Sequence, residues 1–206
     1  MKGDNKRELL LATRNAGKIR ELRDLLEGAP FALRSLAEFP RVPEAEETGE
    51  TFEENAAIKA TFYGRATGVL TLADDSGLEV AALGGAPGVR SARYAGESSS
   101  YDVKIARLLE EMRRSGTEDR GARFVCVAAL YDPAAGSLHT FRGECCGRIA
   151  DEPRGAGGFG YDPVFVPDGY EETFGQLSSD IKQRISHRAR AVMAAREFLV
   201  KSSRSV

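Results

Sequence analysis

Charge of one sign, long apolar runs, cysteine and histidine are all scarce in this chain of 206 residues, and each scarcity excludes something. Lys and Arg number 29 against 31 Asp and Glu, a net charge of −2, so no global field draws the protein to nucleic acid or to an anionic membrane. Any anion must be held by a local cluster. The longest apolar run, Phe124 to Tyr131, is far shorter than the roughly 18 residues a membrane helix needs. The charged start, Met1 to Arg7, is followed by only about five apolar residues, too few for a secretory signal, so a cytoplasmic protein is expected. Cys126, Cys145 and Cys146 are odd in number and lack Cys-x-x-Cys spacing, which argues against a disulfide framework and against structural zinc. Of the two histidines, His139 has no companion motif.

Hydrophobic residues make up 42% and charged residues 29%, a globular composition with enough apolar material for a substantial core. One domain of two lobes over residues 1–200 is expected, with 201–206 as a frayed tail. Leu9 to Thr13 reads as a buried strand. A helical pattern follows from Ala16, with Ile19, Leu22, Leu25 and Leu26 on one face and Gly28 as a stop. Phe31 to Leu36 suits a strand, Thr51 to Thr67 a helix closed by Gly68, and Val69 to Ala73 a strand that stops at a turn. Tyr101 to Arg114 is amphipathic. Ala122 to Tyr131 and Ser137 to Ile149 flank Asp132-Pro133-Ala134-Ala135-Gly136, a hairpin signal; Val164 to Val166 suits a short strand and Ser186 to Val200 a last helix. Early βα order with a late hairpin predicts an α/β fold, a mixed central sheet flanked by helices.

Five segments carry candidate chemistry. In Ala73-Asp74-Asp75-Ser76-Gly77, two adjacent carboxylates stand where the apolar run stops, a place at a sheet rim where magnesium and a phosphorylated substrate can be held; the same residues also suit a solvated turn. Thr13-Arg14-Asn15-Ala16-Gly17-Lys18 joins a strand to a helix, where backbone N–H groups and Lys18 favour an anion. It is no Walker loop, because Ala12 replaces the leading glycine and Ile19 the metal-binding hydroxyl residue. Its plainer reading is a capped helix beside an exposed lysine. Glu46-Glu47-Thr48-Gly49 precedes a helix that places Thr51, Asn55 and Lys59 on one face, which suits either a metal and phosphate site or ordinary surface pairs.

The fourth segment is Gly-rich. Gly155 to Gly160 matches the Gly-x-Gly-x-x-Gly pattern but neither follows a strand nor opens a helix, so it is not a dinucleotide fingerprint. Within it Phe159-Gly160-Tyr161-Asp162 offers aromatics to cover a planar base and an acceptor for base N–H groups, or simply aromatics that fill the core. Downstream, Lys182 and Ser186-His187-Arg188 supply donors that suit a carbonyl oxygen; such a pair is also common as structural polarity.

Taken together, Thr13-x-Asn15-x-x-Lys18, Glu47 with Lys59, Asp74-Asp75-Ser76-Gly77, the loop Leu83 to Gly88, Phe159 to Asp162, and Lys182 with Ser186-His187-Arg188 resemble the non-canonical purine nucleoside triphosphate pyrophosphatases, the inosine/xanthosine triphosphatases. The likeness runs from about residue 9 to 199. It implies an α/β fold with two lobes and an active-site cleft between them, magnesium-dependent hydrolysis of ITP, dITP and XTP to monophosphate and pyrophosphate, and a homodimer. On that basis Asp75 activates water; Asp75, Glu47 and Asp74 hold Mg2+. Thr13, Arg14, Asn15, Ala16, Gly17, Lys18, Lys59 and Ser76 contact the substrate's polar part. Phe159, Gly160, Tyr161 and Asp162 line the base, while Lys182, His187 and Arg188 read its 6-keto oxygen. Arg14 departs from the small residue frequent at its place. A non-catalytic nucleotide sensor is the competing reading, and a nucleic-acid binder is disfavoured by the balanced charge.

Overall fold

The computed structural model describes residues Lys6 to Ser203. Six strands form one sheet in the order β2-β1-β3-β4-β5-β6: β1 (Arg7–Leu11), β2 (Phe31–Ser35), β3 (Leu70–Val80), β4 (Gly121–Asp132), β5 (Ser137–Ile149) and β6 (Phe165–Pro167). β1 runs parallel to β2, with Leu9 opposite Leu33, and parallel to β3, with Leu9 opposite Leu70. β5 and β6 are antiparallel, with Ile149 opposite Phe165. The sheet is therefore mixed, as expected. The helices are α1 (Ala16–Leu25), α2 (Phe52–Thr67), α3 (Tyr101–Ser115), α4 (Ser179–Ile185) and α5 (His187–Ser203).

The signals for helix ends are chemical ones. Asn15 caps α1 through its side-chain oxygen, which accepts from the amides of Gly17 and Lys18. Thr51 and Glu54 close a capping box on α2, and Gly68 ends that helix in the left-handed conformation, φ 70°. Ser100 caps α3, which Gly116 ends in the same way. α5 runs three residues into the stretch expected to fray; the remainder of that stretch lies outside the described residues.

Two compact units divide the chain. One takes in residues up to Asp75, Val127–Arg142 and residues from Arg190; the other takes in Ser76–Cys126 and Gly143–Ala189. In the first, β1 leucines Leu9, Leu10 and Leu11 are buried, as are Leu22 and Leu26, Ala56 and Ala60 of α2, and Leu72. In the second, Leu78, Val80, Ile105, Leu108, Phe124, Ile149, Tyr161, Phe165 and Phe174 form one apolar cluster.

One element corrects the sequence reading. β3 does not stop at Ala73 but runs on through Asp74, Asp75, Ser76 and Gly77 to Val80. Turn-forming residues lie here in extended chain, where both aspartates meet lysine ammoniums. A buried carboxylate so paired does not need the solvent a turn provides.

Candidate active site

In the first unit, adjacent strand residues point to opposite faces, and the two aspartates accordingly take different lysines. Asp74 Oδ2 lies 3.0 Å from Lys18 Nζ, and the Asp74 side chain is wholly buried. Asp75 Oδ1 lies 2.8 Å from Lys59 Nζ, on the helix α2. The same ammonium sits 2.9 Å from Glu47 Oε1. Residues 47 and 75, distant in sequence, thus share one cation.

Charges set the protonation preferences of this cluster. Burial works against the charged form of Lys59, but Asp75, Glu47 and Asp74 outweigh it and hold the ammonium above the ordinary lysine range. Burial pushes the Asp75 carboxyl above the usual range, with Glu47 adding repulsion and Lys59 and Lys18 pulling the other way. Asp75 Oδ2 is buried and has no hydrogen-bond partner. An acceptor oxygen left in that state suits a hard cation or a water molecule held by one.

Among the described residues, no group of three or more His, Cys, Asp or Glu side chains is arranged to hold a metal ion. Of the expected trio of ligands, Asp74 is paired with Lys18, while Asp75 and Glu47 meet at Lys59. The remaining pair, Asp75 and Glu47, fits magnesium, which keeps several waters and is commonly bound through one or two carboxylates plus substrate phosphates.

The turn before α1 is more self-contained than expected. Asn15 Oδ1 takes the amides of Gly17 at 2.9 Å and Lys18 at 3.1 Å, and Thr13 Oγ1 takes the amide of Asn15 at 3.2 Å. Three amides expected to meet an anion are thus bonded within the turn. The Arg14 guanidinium, exposed, donates to the Val42 carbonyl at 3.2 Å. Ala16 is exposed and Gly17 buried.

In the second unit the Gly-rich stretch is a tight, pinned loop. Gly155 has φ +80°, and a Cβ there would stand 2.2 Å from the Gly175 carbonyl, so only glycine fits. The amide of Gly157 donates to the Gly175 carbonyl at 2.9 Å. Asp162, buried, accepts from the Phe159 amide at 2.7 Å and from Lys182 Nζ at 2.5 Å on one oxygen. Phe159 is half-buried, with Lys182 Nζ 4.8 Å and Arg188 Cζ 5.5 Å from its ring centre. Lys182, His187 and Arg188 are all buried. Arg188 donates to Ser76 Oγ at 2.7 Å, and the His187 ring stacks on Phe124 with centroids 4.6 Å apart.

Tyr161, expected to line the base, is packed in the core. It is 2% exposed within the apolar cluster and its hydroxyl donates to the Ser91 carbonyl at 3.1 Å. Its neighbour Tyr101, the first residue of α3, was not singled out by sequence. Its ring meets Tyr161 edge-on at 5.5 Å, lies 3.6 Å from where a Gly160 Cβ would be, and feels the charges of Arg188 and Asp162. A lone tyrosine at a helix start carries no sequence signal. α4, which bears Lys182, was missed too, because seven residues with few apolar positions show no helical period.

Carboxylates and lysines packed at β3 and the helices beside it, with a caged aromatic loop in the second unit, define an α/β protein of the kind that handles phosphorylated compounds. Residues 9–198 match the Ham1 family. The chain is 49% identical over 191 residues to the dITP/XTP pyrophosphatase of Geobacter sulfurreducens, covering 93% of this chain and 96% of that one. It is 44% identical over 193 residues to that of Bacillus subtilis, covering 94% and 97%. A HAM1 protein structure from Coxiella burnetii superposes with a TM-score of 0.88 at 41% identity, covering 95% of this chain and 99% of the other. This chain belongs to the Ham1 family.

Proposed function

We propose that the protein hydrolyses non-canonical purine nucleoside triphosphates, dITP and XTP with ITP, to the monophosphate and pyrophosphate. The observation that carries this reading is the Lys59 ammonium bound at once to Asp75 and Glu47. A mere nucleotide binder has no use for buried carboxylates beside a polyanion, which they repel; a hydrolase that must activate water does. The relatives named above as dITP/XTP pyrophosphatases supply the substrate class.

In this proposal Asp75 accepts the proton of the water that attacks the α-phosphorus in line with the departing pyrophosphate. Lys18 and Lys59 neutralise the triphosphate and the charge that builds on the leaving group. Both lysines are paired with carboxylates, so each would share or exchange a partner with the phosphates. Asp75 and Glu47 would hold Mg2+, which when bound supplies charge neutralisation at the phosphate oxygens and acidifies water. Phe159 offers its ring to the base, and Lys182, His187 and Arg188 present N–H donors to a 6-keto oxygen. Adenine has a donor in that place, so it leaves them unpaired. The same reading places a homodimer in the cytoplasm; light scattering on the purified protein tests the assembly.

A panel of common and deaminated triphosphates, assayed for pyrophosphate with and without magnesium, tests the function. Release from dITP, ITP and XTP, with little from ATP, supports it. Tight nucleotide binding with no product under any condition favours the sensor instead.

A further inference from the structure

An extended segment lies along α2, and its contacts repeat at a fixed interval. The Ala45 amide donates to the Tyr63 hydroxyl at 3.1 Å, Lys59 Nζ meets Glu47 Oε1 at 2.9 Å, and the Gly49 amide donates to Asn55 Oδ1 at 2.8 Å. The segment advances by two residues each time the helix steps back by four. Two extended residues cover about 6.6 Å and four helical ones about 6 Å, so the repeats stay in step over three contacts.

Burial alternates accordingly. Ala45, Glu47 and Gly49 are wholly or partly buried, while Glu46, Thr48 and Glu50 are exposed. At Gly49 a Cβ would stand 2.6 Å from the Cβ of Glu54 and 2.8 Å from Asn55 Oδ1, so no side chain fits the contact. Asn55 is fully buried, and its Nδ2 has no partner. An apolar side chain would avoid that penalty, so the amide is explained by what its oxygen holds. The segment is also tied at its ends, by Arg14 to the Val42 carbonyl and by Glu54 Oε2 to the amides of Glu50 and Thr51.

We propose that Asn55 and Tyr63 are positioning residues: they set the register of residues 45–49 on α2 and so place the Glu47 carboxylate beside Asp75. The inference rests on the reading of the chain as a magnesium-dependent pyrophosphatase. A slip of one residue would turn Glu47 away from the helix, and a slip of two would carry it about 6.6 Å along. Either removes it from Lys59 and Asp75. Neither Asn55 nor Tyr63 needs to touch the substrate for this.

The test uses two variants of the full chain, Tyr63→Phe, which deletes one hydroxyl, and Gly49→Ala, which lifts the segment without altering any polar side chain. Amide exchange over 40–51 is followed by mass spectrometry with and without magnesium, and pyrophosphate release from XTP is followed against magnesium and XTP concentration. Faster exchange at 45–49, and a magnesium requirement raised about fivefold with KM for XTP within about twofold, are expected, the size of one ordinary hydrogen bond. Unchanged exchange means there is no clamp, and faster exchange with an unchanged magnesium requirement means that the clamp does not place Glu47; either overturns the proposal. A wild type that releases no pyrophosphate defeats the functional reading instead, and the exchange arm still decides the clamp. A Tyr63→Phe protein that fails to fold leaves Gly49→Ala to carry the test.

Discussion

Lys59 Nζ and Asp75 Oδ1 meet at 2.8 Å in a buried setting, across 16 positions of sequence. The pair joins helix α2 to strand β3, and its two members respond differently to deletion. Asp75→Asn leaves Lys59 paired with Glu47, so the fold is kept and the melting temperature changes little. Turnover falls by about 100- to 10,000-fold, the range for loss of a positioned base. Lys59→Met instead leaves the Asp75 carboxylate buried without its cation, and stability falls by about 3–5 kcal/mol. Chemical denaturation of both variants checks the contrast.

On the proposed reading, chelation of divalent ions is expected to abolish pyrophosphate release and magnesium to restore it. Glu47→Gln raises the magnesium needed for half-maximal activity, while Asp74→Asn, whose partner is Lys18, raises it much less. A titration of both variants measures this directly.

Arg188 is buried and anchored on Ser76 Oγ. Arg188→Ala narrows the preference for ITP over ATP by about 1–3 kcal/mol, because adenine no longer leaves that donor unpaired. The ratio of kcat/KM values for the two nucleotides is the readout.

Gly155→Ala strains a left-handed backbone and drives a Cβ into the Gly175 carbonyl. The loop that carries Phe159 shifts, KM for XTP rises, and the melting temperature drops. The same change at Gly136, in the β4-β5 turn, meets no atom within 4 Å and costs only its positive φ, so it destabilises less.

Arg7 lies 2.5 Å from Asp132, and the ion pair outweighs burial to hold the Asp132 carboxyl below the usual range. The folded value is depressed, so the stabilisation is present above the unfolded value of about 3.9 and is lost as pH falls through the folded one. Half of the Arg7 side chain is exposed, which limits the gain to about 1 kcal/mol or less. Melting curves of Asp132→Asn and wild type differ at pH 7 and converge in acid.

Much of the fold was legible because its elements carry local chemistry. Asn15, Thr51 and Gly68 marked helix ends, and the apolar run through Phe124 to Tyr131 marked a strand covered on both faces. Composition misled at Asp74 to Gly77, where turn formers lie in a strand because distant lysines neutralise the carboxylates. Only pairing over long range reveals that, and periodicity is blind to it. Tyr161 read as a base-covering ring and lies in the core, while Tyr101, unremarked in sequence, lines the Gly160 turn. A side chain's direction on an irregular loop is set by its packing partners, which spacing does not encode. The 45–49 segment shows the same limit. Its helix-facing alternation is plain once α2 is beside it, and invisible without it.

The central claim is that water activated at Asp75 attacks the α-phosphorus. Hydrolysis of XTP in water enriched in oxygen-18, with mass analysis of both products, tests it most directly. The account predicts the label in the monophosphate and none in the pyrophosphate; label in the pyrophosphate, or release of single phosphates, contradicts it.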